Sequence, residues 1–221
     1  MRELWLVTAK DLRVEARSRV LVNQVAPFAL IILVLFGFAL SADTVTLRSF
    51  TSGLYWVAVL LVALLAVQRA FALEYDDRAI EGLRLSGVDP AAIFAGKALA
   101  ILLQLLALEL LLTGGVIVLF DAEIEDPALF VVAALAAATG VAAAGTLYGV
   151  LAAGLRVRET ILPVLLLPVL APVLIAATRA FDDALGSAAV DGWAWLGLLV
   201  AFAVVYVMFG ALAFGALLED S

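Results

Sequence analysis

The 221-residue chain contains neither cysteine nor histidine. The lack of cysteine excludes disulfide bonds and thiol chemistry, and the lack of both residue types excludes the usual zinc sites. Without histidine, the chain also lacks the side chain that most often serves as general acid or base. Any chemistry must therefore come from carboxylates, arginines, aromatic residues, methionine or another subunit.

Nucleotide-binding motifs are absent as well. There is no GxxxxGK[ST] sequence and no other phosphate-binding glycine motif, so ATP hydrolysis would have to come from a separate subunit. No arrangement of a nucleophile with a base is visible. We expect a chain that is not an enzyme, binds no metal or cofactor of its own and has no nucleic-acid partner.

Charged residues are scarce, at 15%, whereas hydrophobic residues make up 66% and the mean hydropathy is +1.18. Soluble domains are typically about 45–50% apolar. About 20 apolar residues in a helix cross a hydrocarbon core of roughly 30 Å. The sequence predicts an all-α integral membrane protein with one domain, 1–221. Its six predicted spans are 20–40, 54–73, 98–120, 128–155, 161–178 and 193–218.

The distribution of Lys and Arg predicts the orientation. With the N-terminus inside, only Arg48 and Arg179 lie outside. The inner cations are Arg2, Lys10, Arg13, Arg17, Arg19, Arg69, Arg78, Arg84, Lys97, Arg156 and Arg158. The positive-inside rule therefore predicts that both termini are cytoplasmic.

Residues 1–19 have the pattern of an amphipathic helix. Trp5, Ala9, Leu12 and Ala16 share one sector, with the cations Lys10, Arg13 and Arg17 on one side of it and the carboxylates Asp11 and Glu15 on the other. This pattern is typical of a helix in the membrane interface, with cations toward lipid phosphates. The alternative is a charged N-terminal tail.

The segment 74–97, EYDDRAIEGLRLSGVDPAAIFAGK, is a long charged stretch between two apolar runs. Gly87 suits a helix C-cap, and Asp89-Pro90 predicts the start of a new helix that runs into the third span. One face of the first helix is apolar. The other carries Glu74, Asp77, Arg78, Glu81 and Arg84, a candidate docking face for a partner. The alternative is that these charges simply solvate the loop.

Two polar residues, Glu109 and Gln104, lie within the third predicted span. A charged carboxylate at mid-membrane costs about 2.5–3.5 kcal/mol on insertion scales, so Glu109 should be protonated or paired and should face the bundle interior. It is either a group of a substrate path or gate, or a protonated carboxyl hydrogen-bonded to a neighbouring helix.

Helix packing is also visible in the sequence. Gly145 and Gly149 form a small-xxx-small pair, which predicts close backbone approach. Pro163, Pro168 and Pro172 predict a kinked or broken fifth span, because each proline removes a backbone donor.

The predicted outer loops are acidic. Their carboxylates are Asp43, Asp121, Glu123, Glu125, Asp126, Asp182, Asp183 and Asp191. They are either a docking rim for an external partner or merely solvated loop charges, and we favour the second interpretation.

The layout resembles the permease subunits of type-2 ABC exporters. The residues that carry this likeness are Glu74, Glu81, Leu83, Leu85, Pro90, Gly96 and Lys97. More narrowly, GLYWVAVLLVALLAVQRAF at 53–71 and KALAILLQLLALELLL from Lys97 resemble the haem exporter protein B (CcmB) family of cytochrome c maturation. The chain departs from that family where Arg78 replaces a frequent Gly, and where Gly87-Val88-Asp89 replaces a more proline-rich turn.

The resemblance implies a permease subunit of the cell inner membrane that dimerises and binds a separate ATPase subunit, CcmA-like, through the 74–84 face. CcmC-, CcmD- and CcmE-like proteins would be further partners. Haem would be a substrate of the complex, and ATP hydrolysis would serve haem delivery or release of the haem-loaded chaperone on the outer side. Two alternatives stay open: a generic ABC exporter permease for a lipid, polysaccharide or drug, and a structural coupling subunit that transports nothing.

Overall fold

The computed structural model describes residues 2–40, 44–76, 88–153 and 158–220. Helices make up nearly all of this part of the chain. They are α1 (Arg2–Ser18), α2 (Ala26–Ala39), α3 (Thr44–Asp76), α4 (Pro90–Phe120), α5 (Pro127–Ala153), α6 (Arg158–Ala184) and α7 (Gly192–Asp220), with a π-helical turn, Leu21–Val25, leading into α2.

Within the described ranges, six helices are long and apolar enough to cross a membrane, which confirms the predicted number of spans. Their apolar parts are Leu21–Ala39, Thr46–Phe71, Pro90–Phe120, Pro127–Ala152, Thr160–Ala184 and Gly192–Leu217. The protein is therefore a six-span, all-α integral membrane protein.

Several predicted boundaries were wrong because the helices run past the apolar runs. α3 begins at Thr44, so Arg48 lies in its first turns and not in a loop. α6 continues to Ala184 and takes in Asp182 and Asp183, which the sequence had suggested were loop residues. Polar residues can extend a membrane helix into water, where hydropathy gives no signal but the backbone hydrogen bonds continue.

The start of α4 was predicted correctly. Asp89 is its N-cap and accepts a hydrogen bond from the backbone N–H of Ala91 at 3.2 Å, and Pro90 follows as the first helical residue. Proline is well suited to this position because its missing N–H would have no partner in the helix. The 31 residues of α4 extend about 46 Å at about 1.5 Å per residue, more than the roughly 30 Å of a hydrocarbon core.

The Ala- and Gly-rich α5 lies at the centre and packs against α3, α4, α6 and α7. Gly145 and Gly149 receive the side chains of Val67 and Phe71 from α3, and a Cβ at either glycine would overlap these side chains. The predicted close approach is confirmed, and its partner is a helix of the same chain.

The expected break in the fifth span is not present. α6 is one continuous helix through Pro163, Pro168 and Pro172. Pro168 and Pro172 are exposed on the outside of the bundle, whereas Pro163 is half-buried. Prolines are tolerated in membrane helices where the freed carbonyls are satisfied locally.

α1 and the end of α7 lie at the same end of the bundle. α1 packs on the first turns of α4, while Phe214 of α7 contacts Phe94, their ring centroids being 5.6 Å apart. We call this the α1 end. The opposite end, where Arg48 meets Asp121, is called the far end.

Candidate functional site

The predicted docking face is centred on the connection between α3 and α4. Glu74 belongs to the last turns of α3, whereas Asp77, Arg78, Glu81 and Arg84 lie outside the described residues, as do Ser86 and Gly87. The structure does place the two helices that bracket this connection, and both are held by α1.

The first attachment joins α1 to α4. The Thr8 hydroxyl donates to the backbone carbonyl of Gly96 at 3.0 Å, and a side chain at Gly96 would collide with Val7. Next to it, the ammonium of Lys97 lies 3.4 Å from the Asp11 carboxylate. Lys97 is 2% exposed, and its ammonium also lies 5.1 Å from the centre of the Phe71 ring. A buried cation held in this way fixes the register of α1 on α4.

The second attachment joins α1 to α3. Arg69 donates from Nε to the Glu15 carboxylate at 3.1 Å. The other oxygen of Glu15 accepts from the backbone N–H of Leu21 at 2.7 Å, at the start of the first span. Between them, Arg19 has a φ of 53°, which ends α1 and turns the chain toward the span.

We call Thr8, Asp11, Glu15, Arg69, Gly96 and Lys97 the α1 clamp. Its three α1 residues recur at intervals of three and four, so they form one stripe of the helix. The clamp joins the α1 ends of α3 and α4 to one helix, α1.

Sequence analysis missed the clamp. Asp11 and Glu15 appeared as flanking charges of an interfacial helix, and Lys97 appeared only as one of the inner cations and as part of the permease likeness. The signal was the separation of charge on α1, with carboxylates on one side and cations on the other. Periodicity alone does not reveal that the acidic side packs on protein.

At the far end, the structure uses several of the acidic residues internally. Arg48 bonds to Asp121 at 2.6 Å and Glu123 at 2.9 Å. Asp126 accepts from the first backbone N–H groups of α5, and Asp191 from that of Ala194 in α7. These carboxylates therefore cap helices and neutralise a cation, a structural role that neither interpretation of the sequence had described.

Glu109 lies inside the bundle as expected and is 3% exposed. Neither of its carboxyl oxygens has a hydrogen-bond partner within the described ranges. The hydroxyl of Tyr55 on α3 reaches its backbone carbonyl instead, at 3.1 Å, and lies 3.3 Å from Thr113 Oγ1. The predicted hydrogen bond from a neighbouring helix to the carboxyl group is therefore not found in this part of the structure.

Two further polar atoms near this level of α3 are buried and unpartnered in the described part of the chain: Ser52 Oγ and Trp56 Nε1. We call Ser52, Tyr55, Trp56, Glu109 and Thr113 the intramembrane polar cluster. The rings of Tyr55 and Trp56 pack on Phe181, each with a centroid separation of 5.0 Å. Gln104 is half-buried and lies about 140° around α4 from Glu109, so the helix does not bring the two together.

Taken together, the fold defines a class: a six-span membrane protein whose N-terminal helix is bound to both the second and the third span, near the charged connection between them. Residues 2–221 match the family described as CcmB protein. The chain belongs to this family.

Individual relatives support the same assignment over nearly the whole length. The chain is 28% identical to "Heme exporter protein B" of Pseudomonas aeruginosa over 221 residues, covering 94% of each chain. It is 29% identical to "Heme exporter protein B" of Paracoccus denitrificans, with 95% of each chain covered. The protein of the same name from Escherichia coli K12 is also 29% identical, over 89% of this chain and 90% of its own.

Proposed function

We propose that this chain is the membrane permease subunit of an ABC transporter complex for haem export or haem delivery in c-type cytochrome biogenesis. The observation that carries the proposal is the match of residues 2–221 to the CcmB family, together with relatives named for haem export that are covered almost end to end. Haem is the substrate of the complex, and this chain binds no cofactor of its own.

The mechanical part of the proposal concerns the face formed by Glu74, Asp77, Arg78, Glu81 and Arg84. We infer that it docks into a groove on a separate, CcmA-like ATPase, whose hydrolysis of ATP drives the cycle. Charged contacts suit a partner surface that is wet in one state and buried in another. The α1 clamp supports this proposal because it joins the α1 ends of α3 and α4 to the same helix.

The remaining parts of the proposal rest on the resemblance to the family and, for the orientation, on the distribution of Lys and Arg. The complex lies in the cell inner membrane, with both termini of this chain in the cytoplasm, and includes CcmC-, CcmD- and CcmE-like proteins. This chain forms a homodimer within it. Movement of spans two and three is coupled to release of the haem-loaded chaperone on the outer side.

The experiment is a charge reversal at Glu81 with a matched reversal at the far end. Tagged full-length Glu81→Lys, Glu123→Lys and wild-type chains are expressed in a deletion strain of the native host. The ATPase that copurifies in mild detergent is quantified by mass spectrometry, and the yield of c-type cytochromes by haem staining. Glu123 is a suitable control because it is an exposed carboxylate at the opposite end of the bundle.

We expect Glu81→Lys to lose both the ATPase and the cytochromes at normal levels of membrane insertion, and Glu123→Lys to keep the ATPase. Normal ATPase recovery with Glu81→Lys would contradict the docking assignment. Normal cytochrome levels in the deletion strain itself would contradict the haem function and favour a generic exporter. Reconstituted haem movement would distinguish a transporting permease from a structural coupling subunit.

A further inference from the structure

Polar residues follow one another along the core-facing side of α3 from the far end inward. Arg48, Thr51 and Tyr55 recur at intervals of three and four residues, and Ser52 follows Thr51 directly, about 100° around the helix, so the four residues form one band of α3, which we call the stripe. Arg48 and Thr51 line a cavity of about 100 Å³ at the far end, which Glu123, Glu125 and Ser187 complete from the two neighbouring loops. The stripe thus begins at a polar opening.

The inner end of the stripe is the intramembrane polar cluster. Ser52 is 0% and Trp56 1% exposed, and the Tyr55 hydroxyl reaches the α4 backbone at Glu109. Buried polar atoms in folded proteins are almost always hydrogen-bonded to protein or to ordered water. Ser52 Oγ, Trp56 Nε1 and both Glu109 carboxyl oxygens have no protein partner among the described residues. The Tyr55 hydroxyl joins the two helices that carry these four atoms, and water is the partner to which they point.

Toward the α1 end, the same interior surface is apolar. The core-facing residues of α3 beyond the cluster are Val59, Val62, Ala63, Ala66 and Val67, and those of α4 between Lys97 and Glu109 are Ala100, Ile101, Leu105 and Leu108. All are buried. Among the described residues, the buried Thr146 hydroxyl in this half of the bundle already donates to the carbonyl of Ala142 at 2.7 Å. The apolar side chains give water little to bind, so the cluster is connected to one end of the bundle and sealed from the other.

We propose that the stripe Arg48–Thr51–Ser52–Tyr55 is a hydrated path that opens at the far-end cavity and ends at the Glu109 carboxyl. A water needs about 10–15 Å³ of accessible space and two to four polar partners. The far-end cavity of about 100 Å³ supplies space at the opening, and the polar side chains of the stripe supply partners further in. The carboxyl of Glu109 therefore exchanges its proton with the far side of the membrane and not with the α1 side.

The lack of native cysteine makes single-cysteine variants a direct test. Ser52→Cys places a thiol on the path, and Ala63→Cys places one in the apolar seal. Ala180→Cys is the control, because Ala180 is equally buried and apolar and lies four residues from the end of α6. The full chain in lipid nanodiscs is exposed to Ag⁺, which is small enough to follow water. Thiols that stay unreacted are then counted with a fluorescent maleimide after denaturation.

We expect Ag⁺ to block Ser52→Cys at least tenfold faster than Ala180→Cys, and to leave Ala63→Cys as slow as Ala180→Cys. Equal rates for Ser52→Cys and Ala180→Cys would overturn the path, and fast reaction of Ala63→Cys would overturn the seal.

A second measurement uses the unmodified chain. X-ray radiolysis produces hydroxyl radicals from water in place, and mass spectrometry locates the oxidised side chains. Corrected for intrinsic reactivity, Trp56 and Tyr55 should be oxidised at least fivefold faster than the equally buried Phe94 and Phe214. Protection of all four to the same degree would show a dry cluster and contradict the proposal.

Discussion

Asp11 on α1 and Lys97 on α4 form an ion pair of 3.4 Å although 86 residues separate them in the sequence. The pair lies beside the hydrogen bond from Thr8 to Gly96 and fixes the N-terminal helix on the third span. Its position makes α1 a structural part of the permease. The first quantity to measure is the contribution of this ion pair to stability.

Asp11→Asn should destabilise the protein because the buried Lys97 ammonium loses a carboxylate partner. We expect a loss of about 1–3 kcal/mol, measured as a lower midpoint of thermal unfolding by the fluorescence of the four tryptophans in detergent. Adding Lys97→Met should recover part of the loss, since the double variant no longer buries an ammonium that has lost its Asp11 partner. Additive losses in the double-mutant cycle would show that the pair is not coupled.

Gly149→Ala should be destabilising by about 1–3 kcal/mol, because the new methyl group overlaps the Phe71 ring and forces α3 away from α5. Gly197→Ala on α7 is the control, since a Cβ at that position meets nothing within 4 Å. The same unfolding assay should show no loss for Gly197→Ala. Equal effects at both sites would mean that helix propensity and not the α3–α5 contact determines the result.

Asp89→Ala should fray the start of α4 because Ala91 loses its hydrogen-bond acceptor. An N-cap is worth about 1 kcal/mol, so amide exchange near Ala91 should accelerate roughly fivefold, with little change in the centre of the helix. Asp89→Ser should retain most of the protection because serine also caps. Unchanged exchange in Asp89→Ala would exclude a capping role.

Asp121→Val should destabilise the far end by about 1–2 kcal/mol, because the φ of Asp121 is 52° and a β-branched residue is strained in this left-handed conformation. Asp121→Gly should be tolerated. Glu123→Val removes the same charge from Arg48 without backbone strain and should have the smaller effect on thermal unfolding. If the two valine variants behave alike, the charge and not the backbone conformation is responsible.

Local sequence signals predicted some features of the structure correctly and missed others. Six spans, the start of α4 at Asp89-Pro90 and the close approach at Gly145 and Gly149 were all predictable, because hydropathy, capping and small residues act locally. The buried position of Glu109 followed from the high cost of an exposed carboxylate in hydrocarbon. The continuous α6 was not predicted, since the tolerance of its prolines depends on packing and local geometry.

The sequence by itself determined that this chain crosses a membrane six times, because transfer of long apolar helices from water into lipid dominates the free energy of their placement. Tertiary structure alone decided which charges meet: Asp11 with Lys97, Glu15 with Arg69, and Arg48 with Asp121 and Glu123. It also decided that Tyr55 reaches the backbone of Glu109 while the carboxyl stays without a protein partner in the described chain. The physical reason is that such pairings depend on distances between helices distant in sequence, and no local pattern encodes those distances.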